Sequence, residues 1–317
     1  MIRFSNLQNL YIKSFLYFFP VFLILYGTNP YGTSSTNLYS NPFQLLENEQ
    51  WLQESPIQYF IGFVINLFVK NERLTHYIVI AFGFLILYLS MYLYDQKFSS
   101  AVEILKVFYF TPFFLIIFYW MGKPDTFLIA SFLLLITYKE NYVISCLSSI
   151  FLIFSHVYIG IIYILLTIFL KITKFNFHNY LNFVIAVFTY FIYRINLPDI
   201  DSRYEVISSE IQRALYSSFT NLLAGIVSLF MWLWIPIFLS NVFSNKKFLF
   251  SFMFILVVSF FTLDHTRIFV LSSLPLLIFL TKSPIFIQQF KKLTGNYWIY
   301  LLGILQIQKR GDGKIVD

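Results

Sequence analysis

The chain has 317 residues and a formal net charge of +7, with 58% apolar, 22% aromatic and only 12% charged residues, about half the charged share of a soluble protein. Forty-one Phe and 23 Tyr against 15 Asp plus Glu cannot be covered by a water-facing surface, and the mean hydropathy of +0.72 agrees. This balance excludes a soluble enzyme, a nucleic-acid-binding domain and a disordered chain.

The apolar runs lack the short polar/apolar alternation of an outer-membrane barrel. The expected fold is therefore all-α, a polytopic transmembrane helical bundle. Spans of roughly 20 apolar residues are predicted near 12–28, 75–93, 104–121, 125–138, 141–156, 157–171, 179–196, 219–240, 248–263 and 267–281. The first is read as an uncleaved span, since Leu25, Tyr26, Gly27 and Thr28 offer no small-residue cleavage site. The stretch 56–69 is short, begins at Pro56 and contains Asn66, which fits an interfacial or cavity-lining helix. A last apolar stretch, 297–308, is too short to count. Cys146 lies in an apolar run and reads as a small buried hydrophobe.

Ten spans put both termini in the cytoplasm and give one transmembrane domain, 1–308, with a polar cytoplasmic tail at 309–317. Fifteen of the 22 basic residues, from Arg3 and Lys13 to Lys309, Arg310 and Lys314, then face the cytoplasm, as the positive-inside rule requires. Counting 56–69 as a span would invert every later loop and turn the Lys-rich ones outward. The net positive charge is thus assigned to membrane orientation, not to nucleic acid. The external face keeps most of the acids and two long loops, about 28–74 (carrying the short helix) and 197–218. Long loops in compact proteins are commonly functional, so any chemistry is expected outside.

Three groups on that face carry candidate chemistry. In Gly122-Lys123-Pro124-Asp125 the carboxylate can orient a hydroxyl or hold a divalent metal such as Mg or Mn; equally, Asp125 can cap the next helix near its positive end. In Asp264-His265-Thr266-Arg267 the guanidinium suits a phosphate while His265 or Asp264 handles a proton; an Asp–Arg pair closing an interfacial turn explains the same residues. The first loop offers Glu47, Glu49, Glu54, Glu72 and Arg73 beside Trp51 and Tyr59, a set suited to a sugar or an acceptor hydroxyl, or simply a solvated amphipathic helix. Arg203 and Arg213 can meet an anionic head group or pair with neighbouring acids. His76 and His178 suggest nothing by sequence. No Gly-rich phosphate loop, Cys/His zinc spacing or G-x-S-x-G elbow is present. A transferase here would therefore draw on a lipid-linked donor.

Residues 54–138 resemble the GT-C superfamily of membrane glycosyltransferases, which includes protein O-mannosyltransferases and the enzymes that add aminoarabinose to lipid A. The resemblance runs through Glu54-Ser55-Pro56-Ile57-Gln58-Tyr59, the 75–93 span, Asp95-Gln96-Lys97, Pro112 and Gly122-Lys123-Pro124-Asp125. It implies a GT-C-like bundle in which Asp125 lies in an external cavity near metal or acceptor. It also implies a reaction that moves a sugar from a polyprenyl-phosphate carrier to a glycan, lipid or protein acceptor. An acidic residue of the first loop would be the base. The chain departs from the pattern after its first span, where Gly27-Thr28-Asn29-Pro30 stands in place of the family's Asp and leaves Glu47 and Glu49 as the nearest acids. It also lacks the soluble C-terminal domain of several members.

The expected function is a multi-pass cell-membrane glycosyltransferase with its active face outside. Glu47, Glu49 and Asp125 would be catalytic. Lys123, Arg267, His265, Asp264 and Arg73 would bind substrate and phosphate. The alternatives are a polysaccharide polymerase, a transporter or flippase for lipid-linked sugars, and a noncatalytic membrane subunit. A transporter should show repeated halves with broken helices, and no repeat is evident.

Overall fold

A computed structural model describes residues 7–16, 39–40, 55–98, 102–119, 124–197, 222–260, 265–294, 308–309 and 315–316. Helix α1 covers 7–16. It is followed by α2 (Ile57–Val69), α3 (Glu72–Phe98), α4 (Ile104–Tyr109), α5 (Phe113–Tyr119), α6 (Asp125–Thr137), α7 (Tyr142–Ser155), α8 (Val157–Phe169) and α9 (Phe177–Ile195). Then come α10 (Leu222–Phe230), a 3-10 turn (Met231–Leu233), α11 (Trp234–Leu239), α12 (Lys246–Phe260), α13 (His265–Ser272), α14 (Leu274–Leu280) and α15 (Pro284–Thr294). Near the end Gln308–Lys309 pairs antiparallel with Ile315–Val316, a two-residue ladder among described elements that are otherwise helical.

The chain divides into two compact units. The first comprises Met1–Phe98, Ile117–Ile162 and Thr173–Asp201; the second comprises Ser99–Ile116, Tyr163–Ile172 and Ser202–Asp317. Helices α5 and α8 each contribute residues to both.

In the first unit, α2 and α3 form a hairpin. Lys70 takes a left-handed conformation (φ 52°) and its N–H closes α2 on Asn66 O at 2.9 Å. Asn71 then caps α3, its Oδ1 accepting from Leu74 N at 3.0 Å. Helices α3 and α6 cross closely because Gly83 has no side chain: a Cβ there would lie 2.5 Å from Thr126 Oγ1. Asn141 starts α7 by accepting from Ile144 N at 3.1 Å. Ile57, Val79, Phe127, Ile153, Val157, Ala186 and Tyr190 build an apolar core from α2, α3, α6, α7, α8 and α9. At the far end, His178 Nε2 and Asn179 Nδ2 both meet Lys139 O at 2.7 Å, and Lys139 Nζ donates to Lys174 O at 2.7 Å. These bonds tie the α6–α7 turn to the start of α9. The ends that the charge pattern assigns to the cytoplasm, 139–141 and 174–179, thus share one end of the unit.

The surface of α9 reverses the usual order. Its buried face carries Asn179, Asn182, Ala186 and Tyr190, while Phe177 and Ile195 are about four-fifths exposed, with Val184, Phe188 and Phe191 also outward. Between α7 and α9, Asn179 Nδ2 donates to Ser145 Oγ at 2.8 Å and Asn182 Nδ2 reaches the same oxygen at 3.3 Å. Helix α3 likewise exposes Leu74, Leu85 and Leu89 while burying Thr75, His76, Ser90 and Asp95. Asp95 accepts from Tyr11 Oη of α1 at 2.5 Å.

Among the described residues, one helix, Glu72–Phe98, is long and apolar enough to cross a membrane alone. Several expected spans are shorter or broken instead, and proline accounts for two of the breaks. Pro has no N–H and clashes with the carbonyl four residues back. Before Pro112, 104–121 splits into α4 and α5, and the Phe108 carbonyl that loses its donor accepts from Thr111 N at 3.2 Å and Thr111 Oγ1 at 3.0 Å. Before Pro275, 267–281 splits into α13 and α14, and the Leu271 carbonyl takes the phenol of Tyr163. The stretch 219–240 breaks at Met231, which has φ 49°, and there Leu233 N donates to Phe110 O at 3.0 Å. In the second unit, then, one broken helix satisfies another. The apolar window that reads 104–121, 219–240 and 267–281 as continuous spans does not register these backbone interruptions.

Candidate functional site

Asp125 opens α6. The capping position belongs to Pro124, whose φ of −75° suits a helix start, and no side-chain cap bond forms there. Asp125 occupies the first helical residue and is only 2% exposed, in the positive field of the helix end. The side chain is thus enclosed by protein, whereas a solvated cap would lie open to water. Phe127, two residues on, joins the apolar core that also takes Ile57, Val79 and Tyr190. The start of α6 therefore belongs to the end of the unit where α2 begins and α9 finishes.

A polar cluster that the sequence did not reveal lies where the α2–α3 hairpin meets Tyr39. Tyr39 is fully buried, its ring stacked on Tyr59 at 6.1 Å and on His76 at 5.9 Å between centroids. Its phenol meets His76 Nδ1 at 2.6 Å, and its backbone N–H donates to Glu72 Oε2 at 2.8 Å. Asn66 steadies the other carboxylate oxygen, with Nδ2 at 3.5 Å from Glu72 Oε1, and its own Oδ1 accepts from Thr75 Oγ1 at 2.9 Å. Gly62 makes room for the phenol ring: a Cβ there would lie 2.2 Å from Tyr39 Cδ1. Burial, with a smaller contribution from the negative charge of Glu72, pushes the Tyr39 phenol well above the ordinary tyrosine range, against the opposing hydrogen bond from Gln58. The phenol stays protonated, and the direction of its bond to Nδ1 follows the tautomer of His76.

Tyr193 and Leu197 pack against Tyr39 and Tyr59, which brings the end of α9 and the half-buried Arg194 to the same region. The first unit thus holds a buried carboxylate at the α6 start and, around Tyr39, a second carboxylate held by amides with an imidazole paired to a phenol. An arrangement of this kind can accept a proton from a hydroxyl and orient polar groups of a ligand.

The other expected residues fall as follows. Arg73 is exposed on the first turn of α3, beside Glu72 but outside the buried cluster. Arg267 is half-buried on α13 in the second unit. Of His265 the helical position alone is described, and Glu47, Glu49, Lys123 and Asp264 lie outside the described residues. Among the described residues no three His, Cys, Asp or Glu side chains gather to hold a metal ion. His178, which suggested nothing by sequence, fastens α9 to the α6–α7 turn. A signal for the polar cluster existed locally, in the four-residue spacing of Glu72 and His76 and in a lone glycine inside α2. Its partner Tyr39 lies 37 residues away from His76, beyond the reach of any pattern.

No family model, no curated protein and no solved structure matches this chain.

Proposed function

We propose that the chain is a multi-pass membrane glycosyltransferase of the GT-C kind, moving a sugar from a polyprenyl-phosphate carrier to a glycan, lipid or protein acceptor at the external face. The observation that carries this reading is Asp125: a carboxylate buried at a helix start, on a segment end that the charge pattern assigns to the outside. The reversed polarity of α9 supports the membrane part, because an amide-lined inner face and a Phe-rich outer face suit hydrocarbon and not water. The sub-length helices fit as well, since broken helices are tolerated at membrane depth where neighbours satisfy their backbone.

In chemical terms, an acceptor hydroxyl attacks the anomeric carbon, the bond from that carbon to the phosphate oxygen breaks, and the polyprenyl phosphate leaves. Asp125, with Glu47 or Glu49 of the first loop, takes the hydroxyl proton. Arg267 and Lys123 supply positive charge for the leaving phosphate. A divalent Mg or Mn ion at Asp125 belongs to the same reading.

The test compares glycan and lipid-linked precursor profiles of cells carrying the wild type, Asp125→Asn, Glu49→Gln or a deletion, at equal expression. As general base, Asp125 should be worth about a hundredfold or more in rate. Asp125→Asn should then reproduce the deletion and accumulate precursor. A normal glycan with Asp125→Asn beside a defective deletion strain would reduce Asp125 to a helix-end charge and remove the transferase reading.

A further inference from the structure

The second unit contains a cavity of about 420 Å³ whose lining includes none of the site residues discussed so far. Its polar wall is made by Ser240, Asn241, Ser244, Ser283 and Lys282, and its apolar wall by Val242, Phe279 and Ile285. The local chain builds it deliberately. Asn241 takes a left-handed conformation (φ 48°) just after α11 and turns the backbone into a short 3-10 segment. Asn245 then accepts from Lys247 N at 3.0 Å and Phe248 N at 3.3 Å, which starts α12. Across the cavity, α14 ends at Leu280 and α15 begins at Pro284, so that Lys282 and Ser283 face the same space. Lys282 Nζ reaches Ile172 O at 2.7 Å, which fixes the ammonium at the cavity wall. The hydroxyl protons of Ser240 and Ser244 go to Ile237 O at 3.0 Å and Asn241 O at 2.9 Å, so the donors of the wall are Asn241, Lys282 and Ser283.

The charge around this cavity is one-sided. Among the described residues of the second unit nine are basic and one, Glu103, is acidic. Glu103 pairs with Lys106 at 2.8 Å. A fixed ammonium beside the Asn241 amide and the Ser283 hydroxyl is a combination that binds phosphate in proteins. The apolar half of the wall and the outward Ile285, 58% exposed, suit the glycerol and acyl part of an amphiphile. The flanking Lys246, Lys247 and Lys282 belong to segments that the positive-inside pattern assigns to the cytoplasm, where anionic phospholipids are concentrated.

We infer that this cavity binds a phosphate ester, carried by the head group of an anionic phospholipid or by a small soluble phosphate. The inference uses none of the residues of the proposed transfer reaction, and it stands whether or not that reaction is correct.

The experiment uses the full chain purified in detergent and native mass spectrometry with three probes: phosphatidylglycerol, phosphatidylcholine and inorganic phosphate. Two variants test the wall. Lys282→Gln removes the charge, and Ile285→Trp fills the cavity while leaving every polar group and the Ile172 contact in place. The wild type should retain phosphatidylglycerol over phosphatidylcholine, and each variant should bind it about tenfold more weakly. Excess inorganic phosphate that displaces the lipid, or binds alone and is lost in both variants, assigns the site to a soluble phosphate. Lipid retention untouched by phosphate assigns it to the head group. Ile285→Trp with unchanged melting temperature and wild-type binding of both anionic probes would overturn the inference, even if Lys282→Gln proves unstable.

Discussion

The Tyr39 phenol and the His76 imidazole meet at 2.6 Å in a site where both side chains are almost completely buried. Removing the hydroxyl by Tyr39→Phe leaves a buried ring nitrogen without this partner, a change that costs about 1–3 kcal/mol. The same phenol makes stability pH-dependent. Its folded pKa is raised above the ordinary 10.0, so its contribution is complete below that value and falls as pH rises beyond it. Melting temperatures recorded from about pH 8 to about pH 11 should decline at the alkaline end more steeply for the wild type than for Tyr39→Phe. Parallel curves would remove the phenol from the account.

Gly62→Ala should destabilise the first unit although alanine favours helix by about 1 kcal/mol. The new methyl would stand 2.2 Å from a ring carbon of Tyr39. Trimming the ring by Tyr39→Val should relieve the clash, so the double variant should be more stable than the sum of the single effects. Strict additivity in thermal unfolding would show that the ring does not occupy that space.

Asn179 and Asn182 lie on the same buried face of α9 and should respond with opposite signs. Asn179 serves Lys139 O, Ser145 Oγ and Asn176 N at once, and Asn179→Leu should cost about 2–4 kcal/mol by leaving those groups unpaired. Asn182 makes one long bond at 3.3 Å to Ser145 Oγ, and its Oδ1 has no partner among the described residues. Asn182→Leu should therefore be neutral or stabilising by about 1 kcal/mol. A loss at Asn182 equal to that at Asn179 would show that its amide has a partner of its own.

Tyr163 and Pro275 form a compensating pair. The proline denies the Leu271 carbonyl its helical donor and the tyrosine hydroxyl supplies one. Tyr163→Phe should cost about 1–3 kcal/mol. In that background Pro275→Ala should recover part of the loss, since alanine can offer the missing N–H. A double variant less stable than Tyr163→Phe would mean that the break serves another purpose.

The α class and several helix starts were legible in the sequence, at Asp125, near Phe177 and along 75–93, because they follow from composition, charge and local caps. The breaks at Pro112 and Pro275 were visible as residues but not as interruptions, since an average over twenty apolar residues hides one missing N–H. Whether Asp125 lies open or enclosed depends on tertiary packing, and its burial to 2% exposure has no counterpart in the local sequence. The Lys282 cavity is a product of packing and left no periodic trace, and of the polar cluster only the Glu72–His76 spacing is local, Tyr39 lying 37 residues from His76.

The bond from Leu233 N to Phe110 O also sets an order of events. The two partners are 233 − 110 = 123 residues apart, which at about 5–20 residues per second is between about 6 and 25 s of synthesis. The pairing of the two helix breaks cannot exist before the later segment emerges. A ribosome stalled between these positions would hold a nascent chain in which α4 and α5 are already made and their joint is still waiting for its permanent neighbour. The second unit is thus assembled retrospectively, with an early segment completed by a late one.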